Sequence, residues 1–159
     1  METKVKIAVI RLRGTIGVNP KMKKTFDVMK LQKKNNCVII PNDKNSIQMI
    51  KVIKDFATFG EIDQATFLKL LEHRGRLAGN KPITEQYMKD QLKIDFKKFV
   101  EDFFADKIKF KDIPGFKKYF RLHPPEGGFE RGGIKLPYST GGALGYRGKD
   151  INKLIARMI

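Results

Sequence analysis

Residues Val5 to Arg13 are apolar on both sides of an extended chain, with Val5, Ile7 and Val9 on one face and Ala8, Ile10 and Leu12 on the other. Successive strand side chains point to opposite faces, so a strand of this kind has to be covered on both. The segment therefore belongs inside a sheet with something packed on each side, and Arg11 and Arg13 carry its first face outward to an edge.

The next 50 residues supply part of that cover. GTIGVNP reads as a loop, and Asn19 with Pro20 forms an N-cap and N1 pair opening a helix whose Met22, Phe26 and Met29 follow helical spacing to near Lys34. NNCVIIP is a turn and a short second strand closed by Pro41. Ile47, Ile50, Val52, Ile53 and Phe56 form the apolar face of a second helix, and TFGEID a third, weaker strand. The order is β-α-β-α-β over residues 1–63. Taken alone, a strand-helix-strand succession favours a parallel pair.

Residues 64–120 read as a helical extension. ATFLKLLEHRG is a helix stopped by Gly75, RLAGNKP a basic loop, and Thr84 the cap of a short helix. Asp95 precedes Phe96, Phe99, Val100 and Phe103, an i, i+3, i+4, i+7 stripe that reads as core. Residues 121–159 open with RLHPPEGGFERGGIKLPYSTGGALGYRG, which holds eight of the 14 glycines and three of the seven prolines. This stretch reads as an extended arm with few regular hydrogen bonds of its own. Asp150 then caps a last helix whose Ile151, Leu154, Ile155 and Met158 form a docking face.

Thirty-three Lys and Arg against 17 Asp and Glu give a net charge of +16. The excess is spread along the chain, 13 basic against 6 acidic groups in residues 1–63 and 20 against 11 in the rest, so the folded surface itself is positive. Such a surface points to a polyanion, nucleic acid before anionic membrane. The N-terminal apolar run is too brief for a signal sequence or a membrane span, and a cytoplasmic protein with no membrane partner is expected. Cys37, the one cysteine, sits in the apolar run CVII and reads as a small buried hydrophobe.

Enzyme chemistry lacks its parts. Two His, two Ser and one Cys, with no metal-ligand or nucleophile-elbow spacing, leave triads and zinc sites unbuilt. Asp102 and Asp106 read as a solvated helix face rather than paired catalytic carboxylates. GALGYRGKD resembles a phosphate loop only superficially, because Ala143 stands where a glycine is needed and Asp150 where a hydroxyl would hold magnesium. No cofactor, metal or small-molecule substrate is expected.

Three basic clusters remain. Lys21, Lys23 and Lys24 crowd the start of the first helix, where the macrodipole is already positive, next to Arg11, Arg13 and the intervening loop. HRGRLAGNK places Arg74, Arg76 and Lys81 among glycines. In the arm, Arg121, His123, Arg131, Lys135 and Arg147 alternate with Phe129, Tyr138 and Tyr146, a mixture that can neutralise phosphates and stack on unpaired bases. Phe129 serves equally well as an anchor of the arm to its own domain. Charge alone would also permit a DNA-coating chromatin protein, although no helix-turn-helix or basic-zipper pattern is present.

KIAVIRLRGTIGVNPKMKKTFDVMKLQKKNNCVIIPN resembles the core of the large-subunit ribosomal protein family called L-thirty in bacteria and archaea and L-seven in eukaryotes. FRLHPPEGGFERGGIK and GGALGYRGKDINKLIARMI are similar to the longer archaeal form, so the resemblance covers nearly the whole chain. It implies an α+β, ferredoxin-like core, a three-stranded antiparallel sheet with two helices on one face, plus the appendage. The implied role is structural, binding ribosomal RNA near the 5S region beside neighbouring large-subunit proteins. Carried over by position, the RNA-facing residues are Arg11, Arg13, Thr15, Lys21, Lys24, Arg121, Arg131 and Arg147. Val18 and Asn19 stand where the bacterial pattern usually has a basic residue.

Overall fold

The computed structural model describes residues 5–159. Strand β1 (Lys6–Arg11) is the middle of a five-stranded sheet of order β4-β2-β1-β3-β5, with β2 at Asn36–Pro41, β3 at Ala57–Glu61, β4 at Phe120–Arg121 and β5 at Gly145–Tyr146. All six residues of β1 are buried. It pairs antiparallel with β2 (Ile7 opposite Ile40, Val9 opposite Val38) and with β3 (Ala8 opposite Gly60, Ile10 opposite Thr58). The parallel pairing suggested by element order alone does not occur, and the arrangement implied by the family resemblance does.

The sheet has more strands than the three expected. The two additional strands lie at and within the Gly/Pro-rich segment, whose first residue pairs antiparallel with β2 (Asn36 opposite Arg121) and whose later part pairs parallel with β3 (Thr58 opposite Gly145). Both outer edges of the core sheet are thus partly closed by one segment.

Alternation along β1 separates two cores. Ile7 and Val9 face helices α1 (Pro20–Val28) and α2 (Lys44–Ile53), where they pack with Phe26, Leu31, Ile50 and Ile53. Ala8, Ile10 and Leu12 face the opposite layer, made of α3 (Gln64–Arg74), α5 (Phe96–Phe104) and α6 (Ile151–Met158). Helix α4 (Glu85–Leu92) adds Met88, and Thr84 caps it by accepting from the Tyr87 N–H at 3.3 Å. The phenylalanine stripe of α5 is buried throughout, with Phe103 stacked 4.9 Å from Phe67 and tilted against Phe110 at 4.6 Å. Each such ring contributes about 1.5–3 kcal/mol by leaving water. The docking face of α6 is equally buried.

Three boundaries differ from the periodicity. Helix α1 stops at Val28, short of Lys34. Lys30 turns left-handed (φ 61°), its N–H donating to the Asp27 carbonyl (3.1 Å) while that of Leu31 reaches the Phe26 carbonyl (2.8 Å). This is a Schellman ending made without the usual glycine, which is why no sequence signal marks it. Phe56 lies beyond α2 but still closes the same core. Asp106 lies beyond α5, where it pairs with Lys6, and Asp102 pairs with Lys107 at 3.6 Å, so ion pairs replace the solvated face expected for these two acids.

The arm is not loosely hydrogen-bonded. Gly132 and Gly141, Tyr138 and Leu144, and Ala143 and Leu136 are joined by backbone bonds of 2.7–3.1 Å, and Ala143 and Leu144 are buried. Its approach to the sheet depends on Gly60, where any Cβ would run into the Gly148 carbonyl. No helix among the described residues is long and apolar enough to cross a membrane.

Candidate nucleic-acid interface

Pairing of Asn36 with Arg121 in adjacent strands brings three distant segments to one place. The connection from α1 to β2 supplies Lys33 and Lys34, the end of α3 supplies Arg74 and Arg76, and the chain around β4 supplies Lys117, Arg121 and His123. They surround a cleft of about 430 Å³ whose lining includes Tyr119, Asn36 and Asn80 and, among the described residues, no acid.

Arg74 at the end of α3 and Arg76 just beyond it are held in position. Arg74 donates through Nε to the Ile159 carbonyl at 3.1 Å, with a second bond from Nη2, and Arg76 donates to the Gly75 and His73 carbonyls at 2.9 and 3.3 Å. Burial, and then the charge of Arg76, lowers the Arg74 pKa. Loss of solvation and a neighbouring like charge both disfavour the protonated guanidinium. Gly75 makes the turn possible by closeness rather than by dihedral freedom: its φ is −60°, and a Cβ would strike the Leu71 carbonyl and the Ile83 side chain. Lys117 is tied in by its N–H, which donates to the Arg76 carbonyl at 2.9 Å. Asn36 is buried at the cleft with its Oδ1 unpartnered, whereas the Asn80 Oδ1 accepts from Lys117 Nζ at 3.3 Å.

A second basic surface joins Arg13 and Lys54 to Lys135 of the arm. Arg13 is half-exposed, lies 4.7 Å over the Phe56 ring and donates to the Asp55 carbonyl at 3.2 Å. The loop beyond it is open to solvent, with Thr15 exposed and Ile16 94% exposed. Lys21, Lys23 and Lys24 are exposed on the first turns of α1, which holds no acid in its first turn and whose N-cap Asn19 accepts from the Lys21 N–H at 3.1 Å. Lys81, Arg131 and Lys135 are exposed as well.

Two of the expected contact residues are engaged inside the chain. Arg11, 2% exposed, donates to the carbonyls of Arg13, Leu31, Gln32 and Gly14 at 2.9–3.0 Å and lies 4.0 Å over Phe26. It locks the base of the β1–α1 loop to the end of α1. Arg147, 5% exposed, grips both carboxylate oxygens of Glu130, donates to the Ala143 carbonyl at 3.1 Å and to Thr58 Oγ1 at 3.3 Å, and lies 4.5 Å over the Tyr138 ring. Both are framework for the surfaces around them.

The aromatics divide in the same way. Tyr138 donates to Asp150 Oδ2 at 2.9 Å, and Tyr146 to Glu61 Oε1 at 2.6 Å, and each phenol is raised in pKa chiefly by that bond. Asp150 thus takes the Tyr138 hydroxyl and Lys153 and makes no side-chain cap to α6. Tyr138 is half-buried, whereas Tyr146, packed 5.7 Å from Phe59, remains 59% exposed. Phe129 packs on the core.

Lys33, Lys34, Lys117, Tyr119 and Asn36 carry no signal of their own in the sequence. Lysine doublets mark two of the places, but on a chain with 33 basic residues a doublet carries no information until strand pairing gathers it with others.

The chain matches the family model described as ribosomal protein L30p/L7e over residues 7–56, which spans β1 to the end of α2. Large ribosomal subunit protein uL30 of Methanococcus vannielii is 45% identical over 152 residues, 96% of this chain and 98% of the relative. The chain belongs to the L30p/L7e family of ribosomal proteins. Likeness to uL30 proteins extends past the core into the cleft and the arm: that of Methanopyrus kandleri is 44% identical over 93% of this chain and all of its own length. The uL30 of Hyperthermus butylicus is 44% identical over 96% of the chain and 89% of its own length. Both the ferredoxin-like core and the segments that line the cleft therefore lie within the L30p/L7e likeness.

Proposed function

We propose that this L30p/L7e protein is a structural, non-catalytic constituent of the large ribosomal subunit that binds ribosomal RNA, in the 5S region and the adjacent large rRNA, beside other large-subunit proteins. The observation that carries the reading is the cleft, lined by no acid among the described residues, where Lys33, Lys34, Arg74, Arg76, Lys117 and Arg121 converge. Residues 1–63, 64–120 and 121–159 each contribute to its walls, so RNA bound there would clamp the three parts together. Lysines and arginines displace condensed counterions from phosphates, and Tyr119 and the exposed Tyr146 offer faces for unpaired bases. Thr15, Lys21, Lys23, Lys24 and Arg13 form a further contact surface, with Lys81, Arg131 and Lys135 at the margins. Arg11 and Arg147 act through the fold.

Binding to folded 5S rRNA, to a large-rRNA fragment and to duplex DNA at equal phosphate concentration, each across a salt series, tests the reading. Preference for a folded rRNA, with a steep log-log salt slope that becomes shallower in Lys33→Gln/Lys34→Gln/Arg121→Gln, is the expected result. Equal affinity for duplex DNA, or a flat salt response, would overturn it.

A further inference from the structure

Beside the outer edge of β2 lies a concavity of a different chemistry. Strand β4 covers β2 only at Asn36 and Cys37, and beyond that point the edge has no strand partner among the described residues. The Leu122 N–H donates to the Asn35 carbonyl, and Cys37 faces Phe120, so the odd-numbered residues of β2 turn their peptide groups toward this edge. Next in that alternation is Ile39, whose N–H and carbonyl meet no backbone partner there. A groove of about 430 Å³ runs along it.

The groove floor is apolar, aliphatic apart from the nearly buried rings of Phe103 and Phe110. Val28, 62% exposed at the end of α1, lies with Val38, Ile40 and Met49 on the side of α1 and α2, and Ile108 lies on the side of α5. Its rim is cationic: Lys30, Lys109, Lys111 and Lys118 line it and are exposed, while the acid in the lining, Asp106, is engaged by Lys6.

We infer that this groove is a docking site for an extended protein segment of alternating apolar and acidic residues, which adds as a strand to the open edge of β2. Edge addition takes affinity from main-chain hydrogen bonds and selectivity from alternate side-chain positions. Valines and isoleucines of the added strand cover Val28 and Met49 on one face, and its carboxylates meet Lys109 and Lys111 on the other. Charge complementarity selects an acidic partner. The apolar floor selects protein over nucleic acid, because it offers a phosphate or base nothing to bond and its two rings, Phe103 and Phe110, are only 7% and 8% exposed and show too little face to stack a base, in contrast to the asparagine- and arginine-lined cleft. The inference does not depend on the RNA reading of that cleft.

The test adds an acetylated, amidated heptapeptide of alternating glutamate and valine to the intact chain and follows backbone amide exchange and chemical shifts. Expected are binding at or below about 1 mM and at least a roughly tenfold slowing of exchange at the Ile39 amide. Val28→Glu, at a solvent-facing position, and Lys109→Glu/Lys111→Glu should each weaken binding about tenfold or more with melting unchanged. The same peptide N-methylated on the edge-facing residues should fail to bind. An Ile39 amide that is not protected, an N-methylated peptide that binds equally well, or binding indifferent to Val28→Glu would overturn the inference. So would a uridine oligonucleotide that protects Ile39 and displaces the peptide, which would make the groove a nucleic-acid surface.

Discussion

The Arg147 guanidinium holds both carboxylate oxygens of Glu130 while its other donors reach Ala143 and Thr58, so one buried side chain ties two turns of the Gly/Pro-rich segment to the face of β3. This pair explains how a stretch with eight glycines keeps one shape without long regular elements. Removing the arginine leaves a partly buried carboxylate with the longer 3.9 Å ion pair to Arg157 in place of its bidentate partner.

Arg147→Met is accordingly expected to destabilise the protein by about 3 kcal/mol, the usual scale for breaking a buried pair from one side. Chemical denaturation measures it. If hydrogen exchange in residues 130–147 rises before the sheet amides do, the arginine is an arm clamp; a loss spread evenly over the chain would deny it that role.

The same pair sets a pH dependence. Burial alone would raise the Glu130 pKa, but hydrogen bonds and charge from Arg147 outweigh it and hold the carboxyl below its ordinary value. A depressed carboxylate stabilises the fold fully above its unfolded pKa of about 4.3, and that contribution disappears as the pH falls through the lower folded value. Asp150, lowered by the hydrogen bonds from Lys153 and Tyr138, shifts in the same direction. Melting temperature should drop through the acid range in the native protein and drop less steeply in Glu130→Gln.

At the start of α1, three lysines sit where the helix dipole is unfavourable to them. Lys21→Gln/Lys23→Gln/Lys24→Gln should leave stability unchanged or raise it by up to about 1 kcal/mol. The same variant should flatten the salt slope of RNA binding by roughly 0.7–0.9 for each phosphate it no longer neutralises. A triple variant that unfolds, or one with an unaltered slope, would show that these lysines do something else.

Cys37 is fully buried in β2, and burial pushes its thiol pKa up. Iodoacetamide should leave the native chain unlabelled at neutral pH and modify it stoichiometrically in denaturant, as mass spectrometry would read directly. Labelling of the native state at a rate near that of a free thiol would contradict the sheet as described.

Periodicity is a local property, and what depends on it was legible from residues alone. The double apolar face of β1 required the middle of a sheet, the Phe96–Phe103 stripe required a core face, and Ile151 to Met158 required a docking helix. The end of α1 escaped because Lys30 takes a left-handed conformation that glycine normally announces. Strand direction came from family resemblance, since a strand-helix-strand order taken alone favours the parallel sense, which does not occur.

What only the tertiary structure decided is the fate of each charge. Arg11 and Arg13 are two residues apart, yet Arg11 is enclosed by four carbonyls and a phenylalanine ring while Arg13 remains half-exposed. Lys33, Lys34 and Lys117 do not stand out among 33 basic residues until β4 pairs with β2 and places them around one cleft with Arg74 and Arg121. The amino-acid sequence by itself determined that the surface would be strongly positive and the strands and helices amphipathic, because composition and period need no partners. Burial, pairing and convergence of those charges depend on which distant segments meet, and that is settled by packing across the sheet.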